Sequence, residues 1–449
     1  MCFGLAIGMA SALLILTYVT FEFSFDKMHT KYPHIYRVQS TFREGEVMTD
    51  NWASSSFGYG SAMKENLAGI EDLYPNRLSA PTRTDCEVLV SLTLRENQIA
   101  YADPGFFRLF DFELLKGDKK TSLSMPGQVV ITERIARKYF KEEDPIGKIL
   151  IFTGPYYKIS CEVTGVMEEM PSNSHIHYNF LISYTSLPKF IHEYWYKHEA
   201  YTYVLLDSPE REAEIEREFP VMAEKYKTEE ALKNKTWGVD LVPLADIHLT
   251  PQLGYEMETK GNRSAMIALV FAAIAILAIA WINYINLTVA RSMERAREVG
   301  VRRVVGAFRK QLIHQFLFEA LVMNLIAFIL AVGLIELILP YFNQLVGRTV
   351  TFSVWLMDYW WMLLVLVFIA GIFLSGYYPA LALLNRKPIT LLKGKFLHSK
   401  SGERTRQVLV IIQYTASMIL LCGTLIVFAQ LNFMRSQSLG VKNRPDISH

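Results

Sequence analysis

The stretch Ser264-Ala-Met-Ile-Ala-Leu-Val-Phe-Ala-Ala-Ile-Ala-Ile-Leu-Ala-Ile-Ala-Trp-Ile-Asn-Tyr-Ile-Asn-Leu-Thr-Val-Ala290 runs for 27 residues without a charge. A helix needs roughly 20 such residues to cross the hydrocarbon of a bilayer, so this run reads as a membrane span. Three more uncharged runs are of spanning length: Met1–Phe21 with 21 residues, Tyr359–Asn385 with 27 and Gln407–Met434 with 28. A single soluble domain is therefore excluded, although only 51% of the 449 residues are hydrophobic. Disordered, collagen-like and disulfide-scaffold classes are excluded too, because the chain has 25 Gly, 17 Pro and only 4 Cys.

Charge sorts the segments between these runs. The net charge of +2 conceals a segment from Glu22 to Arg263 with 28 basic and 37 acidic residues, and a remainder with 18 basic and 7 acidic. The basic excess sits in two short connections, Arg291–Lys310 and Arg386–Arg406, each with seven Lys or Arg. Short basic loops resist translocation and stay in the cytoplasm. Two cytoplasmic loops require a further span between them, and Phe316–Leu339 supplies it, with Glu319 and Glu336 close enough to its ends to reach the headgroups.

The expected fold is a multi-span α-helical membrane protein of five helices with a large α+β extracytoplasmic domain between the first and second spans. Helix 1–21 leads out to the domain at 22–263. A membrane region, 264–400, holds helices 264–290, 316–339 and 359–385. A fifth helix, 407–434, ends in an extracytoplasmic stub, 435–449. The first run is read as a retained helix rather than a signal peptide, since it lacks a basic start and its one Ala-x-Ala, Ala10-Ser-Ala12, lies mid-run.

Within the 242-residue domain, Cys86–Thr93, Gln128–Thr132, Tyr157–Val166 and Tyr201–Asp207 read as strands, and Thr132–Phe140 and Pro209–Lys227 as helices. His175 and His177 in Ser174-His-Ile-His177 would share one face if that segment were a strand, but no Asp, Glu or Cys lies within five residues of either to complete a metal set, and ordinary surface or cleft histidines are the simpler reading. Cys86 and Cys161 could pair in an oxidising compartment, without support from spacing. The alternating series Glu210, Glu212, Glu214, Glu216, Glu218 spreads carboxylates around a helix and reads as solvated surface. No catalytic, metal or cofactor set emerges. Gly-x-Ser-x-Gly, His-Glu-x-x-His and Gly-x-x-x-x-Gly-Lys-Ser/Thr are all absent from the sequence, and nothing in it points to nucleic acid.

The most informative segment follows the Ser264–Ala290 run. Glu298-Val-Gly300-Val-Arg302-Arg303-Val-Val-Gly306-Ala307 reads as a short polar helix breaking at Gly300, a turn holding the two arginines and a second break at Gly306. Basic residues next to a bilayer usually anchor to anionic lipid. An electrostatic anchor needs no glycines, whereas a docking protein surface can use them for close approach.

This string, with Gln315-Phe-Leu-Phe-Glu319, resembles the cytoplasmic motif of FtsX-like ABC transporter permeases that carry a MacB-like periplasmic core domain. Similar strings are Trp281-Ile-Asn-Tyr-Ile-Asn-Leu287, Tyr377-Tyr-Pro-Ala380, Phe110-Asp-Phe-Glu-Leu-Leu-Lys-Gly-Asp118, Val129-Val-Ile-Thr-Glu133, Asp144-Pro-Ile-Gly-Lys148 and Pro171-Ser-Asn-Ser-His175. The resemblance implies a bacterial inner-membrane protein with its large domain outside. It also implies a separate cytoplasmic ABC ATPase as partner, and transport driven by passing ATPase closure along the helices to the domain. Glu298, Gly300, Arg302, Arg303, Gly306 and Ala307 are the expected ATPase-coupling segment, charges for complementary pairing and small residues for close approach. Asn283 and Asn286 are expected to make interhelical hydrogen bonds. The family module is one span, a domain and three spans, so the fifth helix reads as the opening of a second module, fused in tandem or supplied as a dimer. A membrane sensor is the rival reading, weakened by cytoplasmic loops of about twenty residues, too short for a signalling domain.

Overall fold

The computed structural model describes residues 2–45, 47–67, 76–79, 86–89, 93–154, 158–195, 197–227, 235–294, 296–356, 360–384 and 400–436. The chain divides into two compact units, Phe21–Arg263 and the remainder, Met1–Thr20 with Ser264–His449.

The first unit is built on one sheet of thirteen strands among the described residues. They are β1 Ile35–Glu44, β2 Val47–Trp52, β3 Asn76–Ser79, β4 Cys86–Leu89, β5 Thr93–Glu96, β6 Ile99–Ala102, β7 Leu114–Lys116, β8 Gln128–Thr132, β9 Ile149–Thr153, β10 Lys158–Met167, β11 Phe180–Ser183, β12 Tyr201–Leu205 and β13 Thr236–Pro243. The order β13-β1-β12-β3-β6-β11-β8-β10-β9-β4-β5 is antiparallel except for β8 beside β10 and β6 beside β11.

Central strands explain their own composition. In β8, Val130 faces a core with Phe106, Phe110 and Leu181, while Val129 and Ile131 face a second core with Phe152 and Phe180. Successive side chains point to opposite faces, so a strand buried on both reads as an unbroken apolar run. The same alternation splits β1 and β12, with Ile35 and Tyr203 on one side and Tyr36 and Val204 on the other, where they meet Ile215 and Phe219.

The helices of this unit are α2 Tyr59–Asn66, α3 Phe106–Leu109, α4 Glu133–Phe140, α5 Lys189–His192 and α6 Arg211–Ala223, all following α1, Cys2–Phe23. In α6, Glu214 and Glu218 pair with Arg211, and Glu216 accepts the N–H of Leu241 at 2.8 Å on the outermost strand β13. The carboxylate series is thus more than solvated surface, because one member caps an open sheet edge that would otherwise expose pairing groups.

The second unit contains α7 Arg263–Glu294, α8 Ala296–Val304, α9 Arg309–Val346, α10 Trp360–Leu384 and α11 Lys400–Ser436. With α1, this gives five helices long and apolar enough to cross a membrane among the described residues. The run expected over Phe316–Leu339 lies inside the 38-residue α9. Small residues set its packing. A Cβ on Gly8 would stand 2.5 Å from Ala280 Cβ, one on Gly371 2.8 Å from the Trp281 ring, and one on Gly376 2.9 Å from Ala320 Cβ. These contacts join α1 to α7, α7 to α10 and α9 to α10. Asn324 donates to Ser375 Oγ at 3.0 Å between α9 and α10, and Trp355 Nε1 donates to Thr17 Oγ1 at 2.8 Å. An interhelical hydrogen bond of the kind expected of Asn283 and Asn286 is thus seen at Asn324.

Candidate functional site

The Glu298–Ala307 segment forms a helix, a tight stop and the start of the next helix. The break expected at Gly300 is absent, because α8 continues through Gly300, Arg302 and Arg303 to Val304. A mid-helix glycine costs only about 1 kcal/mol against alanine, and α8 recovers this by burying Val299 against Leu312 of α9 and Ala380 and Leu384 of α10. Gly300 is itself buried.

The stop is at Gly306. Its φ of +105° lies in the left-handed region that favours glycine. Ala307 N–H reaches Arg302 O at 2.9 Å and Gly306 N–H reaches Arg303 O at 3.3 Å, the paired pattern that closes a helix C-terminus. Gln311 Oε1 accepts the Phe308 N–H at 3.0 Å and starts α9.

Both arginines are engaged within the unit. Arg302 pairs with Glu298 at 2.6 Å and donates to Gln315 Oε1 at 3.1 Å, and Gln315 donates onward to Glu319 at 3.3 Å. Arg303 donates to Leu384 O at 3.1 Å, the last residue of α10, where carbonyls lack helical partners. Charges read as partners for another protein thus first fix α8 on α9 and α10. Beside the half-exposed Glu298 and Arg302, the surface left outward carries an apolar cluster: Val301, Val304, Val305 and Phe308 are 50%, 65%, 83% and 73% exposed. The Val304-Val305 pair beside two arginines is the sequence signal for this patch, and neither the charges nor the glycines disclose it.

The histidines of the domain have a structural role. The segment around Ser174–His177 is not a strand, and the two histidines have different partners, His177 Nε2 lying 3.5 Å from Glu258 Oε1. His175 is buried, with Nδ1 2.9 Å from Asp26 Oδ2 and Nε2 2.6 Å from Tyr203 OH. Asp26 Oδ1 also accepts from Ser174 Oγ and from His175 N–H, at 3.1 and 3.0 Å. Burial would raise the Asp26 carboxyl, but His175 outweighs it and holds the group below its ordinary value. His29 Nδ1 accepts the Asp111 N–H at 3.0 Å, and burial pushes the His29 pKa down to about 4. The strings Phe110–Asp118 and Pro171–His175 therefore grip the residues that follow α1. Among the described residues no group of three or more His, Cys, Asp or Glu could hold a metal ion. Cys161 is buried and free, its thiol pushed up to about 12 by burial, and the side chain of Cys86 lies outside the described residues.

Two family profiles match the chain: a MacB-like periplasmic core domain over residues 1–220 and an FtsX-like permease C-terminal region over residues 270–388. Among curated proteins, the macrolide export ATP-binding/permease protein MacB of Neisseria meningitidis serogroup A is 23% identical over 241 residues, covering 53% of this chain and 33% of that one. Its counterpart in Rhodopseudomonas palustris is 27% identical over 222 residues, covering 49% and 31%. The chain thus spans about a third of the length of these relatives. Among solved structures, a domain of a putative permease from Porphyromonas gingivalis covers 54% of this chain and 98% of its own, at 20% identity and TM-score 0.42. The periplasmic region of MacB from Actinobacillus actinomycetemcomitans covers 45% and 87%, at 13% identity and TM-score 0.30.

Proposed function

Since the chain belongs to the FtsX-like ABC transporter permeases with a MacB-like periplasmic core domain, we propose that it converts ATP hydrolysis by a separate cytoplasmic ABC ATPase into movement of its extracytoplasmic domain, for export or extraction of a substrate. The Phe21–Arg263 unit is the extracytoplasmic part of an inner-membrane, multi-pass protein, and the loops around residues 291–310 and 386–406 face the cytoplasm, in keeping with their excess of Lys and Arg. A second permease module completes the assembly.

One observation carries the coupling role. An apolar rim, Val301 and Val304 on α8 with Val305 and Phe308 in the turn that follows, stands exposed where the other side of α8 is anchored by Val299 and Arg303. Exposed apolar clusters mark contacts with another protein or with the membrane, and the family's cytoplasmic ATPase supplies the protein. Glu298, Gly300, Arg302, Arg303, Gly306 and Ala307 are the coupling segment in the sense that they build and aim this rim: Gly306 sets the turn, Arg303 ties α8 to α10, and Glu298 and Arg302 brace α8 against α9.

The test is co-purification of an ABC ATPase with the full chain and measurement of its ATP turnover in lipid nanodiscs. Val305→Asp and Phe308→Asp are expected to abolish ATPase association while leaving membrane insertion and the fold of the domain intact. Retention of wild-type association and turnover by both variants refutes the proposal.

A further inference from the structure

The chain leaving α1 and the chain leading into α7 are far apart in sequence, yet the domain fastens them together. His248 Nε2 lies 2.7 Å from Glu22 Oε2, and the two side chains are only 4% and 3% exposed. Phe25 stacks on the His248 ring, centroids 3.5 Å apart and planes 4° from parallel. Gly261 lies two residues before the first residue of α7 and donates its N–H to His248 O at 2.9 Å. A Cβ at 261 would stand 2.7 Å from Glu22 Oε2 and 2.9 Å from His248 Nε2, so the closed pair leaves no room for a side chain there.

A second buried set holds the same strap a few residues earlier. Arg37 of β1 donates to both carboxylate oxygens of Glu256 at 3.0 Å, and Lys260 pairs with Glu256 as well. Tyr201 OH donates to Tyr255 O at 2.7 Å, and Ala53 N–H reaches Gly254 O at 2.9 Å. Buried ion pairs are poor devices for stability alone, because apolar residues of the same volume pack as well without the cost of desolvating charge. What they supply here is a fixed position and direction for the strap.

We propose that Glu22, His248 and Gly261 are positioning residues for transmission of force: they make the last turn of α1 and the chain leading into α7 one rigid base. A movement carried by either helix then reaches the domain as a single displacement, instead of being lost as a change in spacing between two independent connections. This rests on the permease reading above, and its test separates the two.

Hydrogen–deuterium exchange of the full chain in nanodiscs, with the co-purified ABC ATPase bound, reads the base directly. In the wild type, the amides of residues 23–28 and 259–263 are expected to open together, and addition of ATP with vanadate to alter exchange across the domain. Gly261→Val and Glu22→Ala are expected to speed exchange at residues 259–263 at least tenfold. They should also cut the nucleotide-induced change in the domain at least threefold, with the ATPase still bound and exchange in β8 unchanged as evidence of an intact fold. Glu22→Gln, which keeps the shape and a hydrogen bond to His248, should behave as wild type. The proposal is overturned if the two wild-type segments open independently, or if Gly261→Val and Glu22→Ala leave the nucleotide-induced change at full size. A wild type that shows no such change refutes the permease reading itself, and the clamp's transmitting role with it.

Discussion

The two units are built on opposite choices of buried residue. Among the largest fully buried side chains of the Phe21–Arg263 unit are Trp237, Arg37, Tyr59, Tyr184, Tyr203 and Phe106. In the other unit, Ala6, Ala12, Ala273, Ala327, Ala331 and Ala380 are fully buried while Phe271, Ile329 and Leu366 are more than 60% exposed. The difference is one of solvent. In water, burying large apolar surface drives folding, at about 25 cal/mol per Å². Between helices in lipid that drive vanishes, since the tails are as apolar as leucine, and close backbone approach through small residues takes over. Charge follows the same division: the domain buries paired ions, whereas Asn324–Ser375 is a neutral contact.

Four experiments can break or sharpen this contrast. The largest effect is expected at Glu256. Glu256→Ala leaves Arg37 and Lys260 buried without their shared carboxylate and should cost the domain about 3–5 kcal/mol in urea unfolding of the full chain. By contrast, Lys116→Ala, which breaks a pair whose partners are 51% and 66% exposed, should cost less than about 1 kcal/mol. Equal costs would remove burial as the explanation.

Acid comes next. Burial pushes the pKa of His29 down to about 4 and that of His198 to about 3, from an ordinary 6.5. The unfolded chain therefore binds a proton at each site as pH falls through 6.5, while the folded domain does not until much lower. Stability is complete above about pH 6.5 and falls by about 3 kcal/mol per histidine on reaching pH 4. His29→Asn and His198→Asn, compared with wild type across that range, should each flatten the slope of unfolding free energy against pH. An unchanged slope would show that the two imidazoles are not held neutral.

In the membrane unit, Gly376→Leu must push α10 from Leu317 and Ala320 of α9 and should cost about 1–3 kcal/mol, read as a lower temperature of aggregation in detergent. Gly333 on the same α9 is exposed and a Cβ there meets nothing within 4 Å, so Gly333→Leu should be neutral. The smallest effect is expected for Asn324→Leu, about 0.6 kcal/mol and under 2. A loss as large as that of Glu256→Ala would mean that polar contacts weigh equally in both units.

How much of this the sequence discloses follows from the range of each interaction. Uncharged runs disclose four of the five long helices, the two basic loops require the fifth between them, and the apolar run Val129–Ile131 discloses β8 with the bounds it has, because these signals are local. Gly300 misleads, since a local breaker is overruled by Val299 packing on helices whose contact residues lie up to 85 positions away. His175 misleads in the same way: no carboxylate is near it in sequence, and its partner, Asp26, is 149 residues earlier. Glu22 with His248 and Arg37 with Glu256 are separated by 226 and 219 residues, beyond any periodicity or spacing rule. The coupling segment is legible as a segment, but which of its side chains turn outward depends on where α9 and α10 stand.

The hydrogen bond from Trp355 to Thr17 spans 338 residues of sequence. At the 5–20 residues per second of protein synthesis, its donor is made roughly 20–70 s after its acceptor. Ala280, which fills the space left by Gly8, is also made hundreds of residues late. During that interval α1, the most enclosed of the five long helices in the finished protein, stands with its small-residue face against whatever surrounds it. The earliest made of these five helices is thus among the last of them to be fitted, and its packing must wait on the clock of translation.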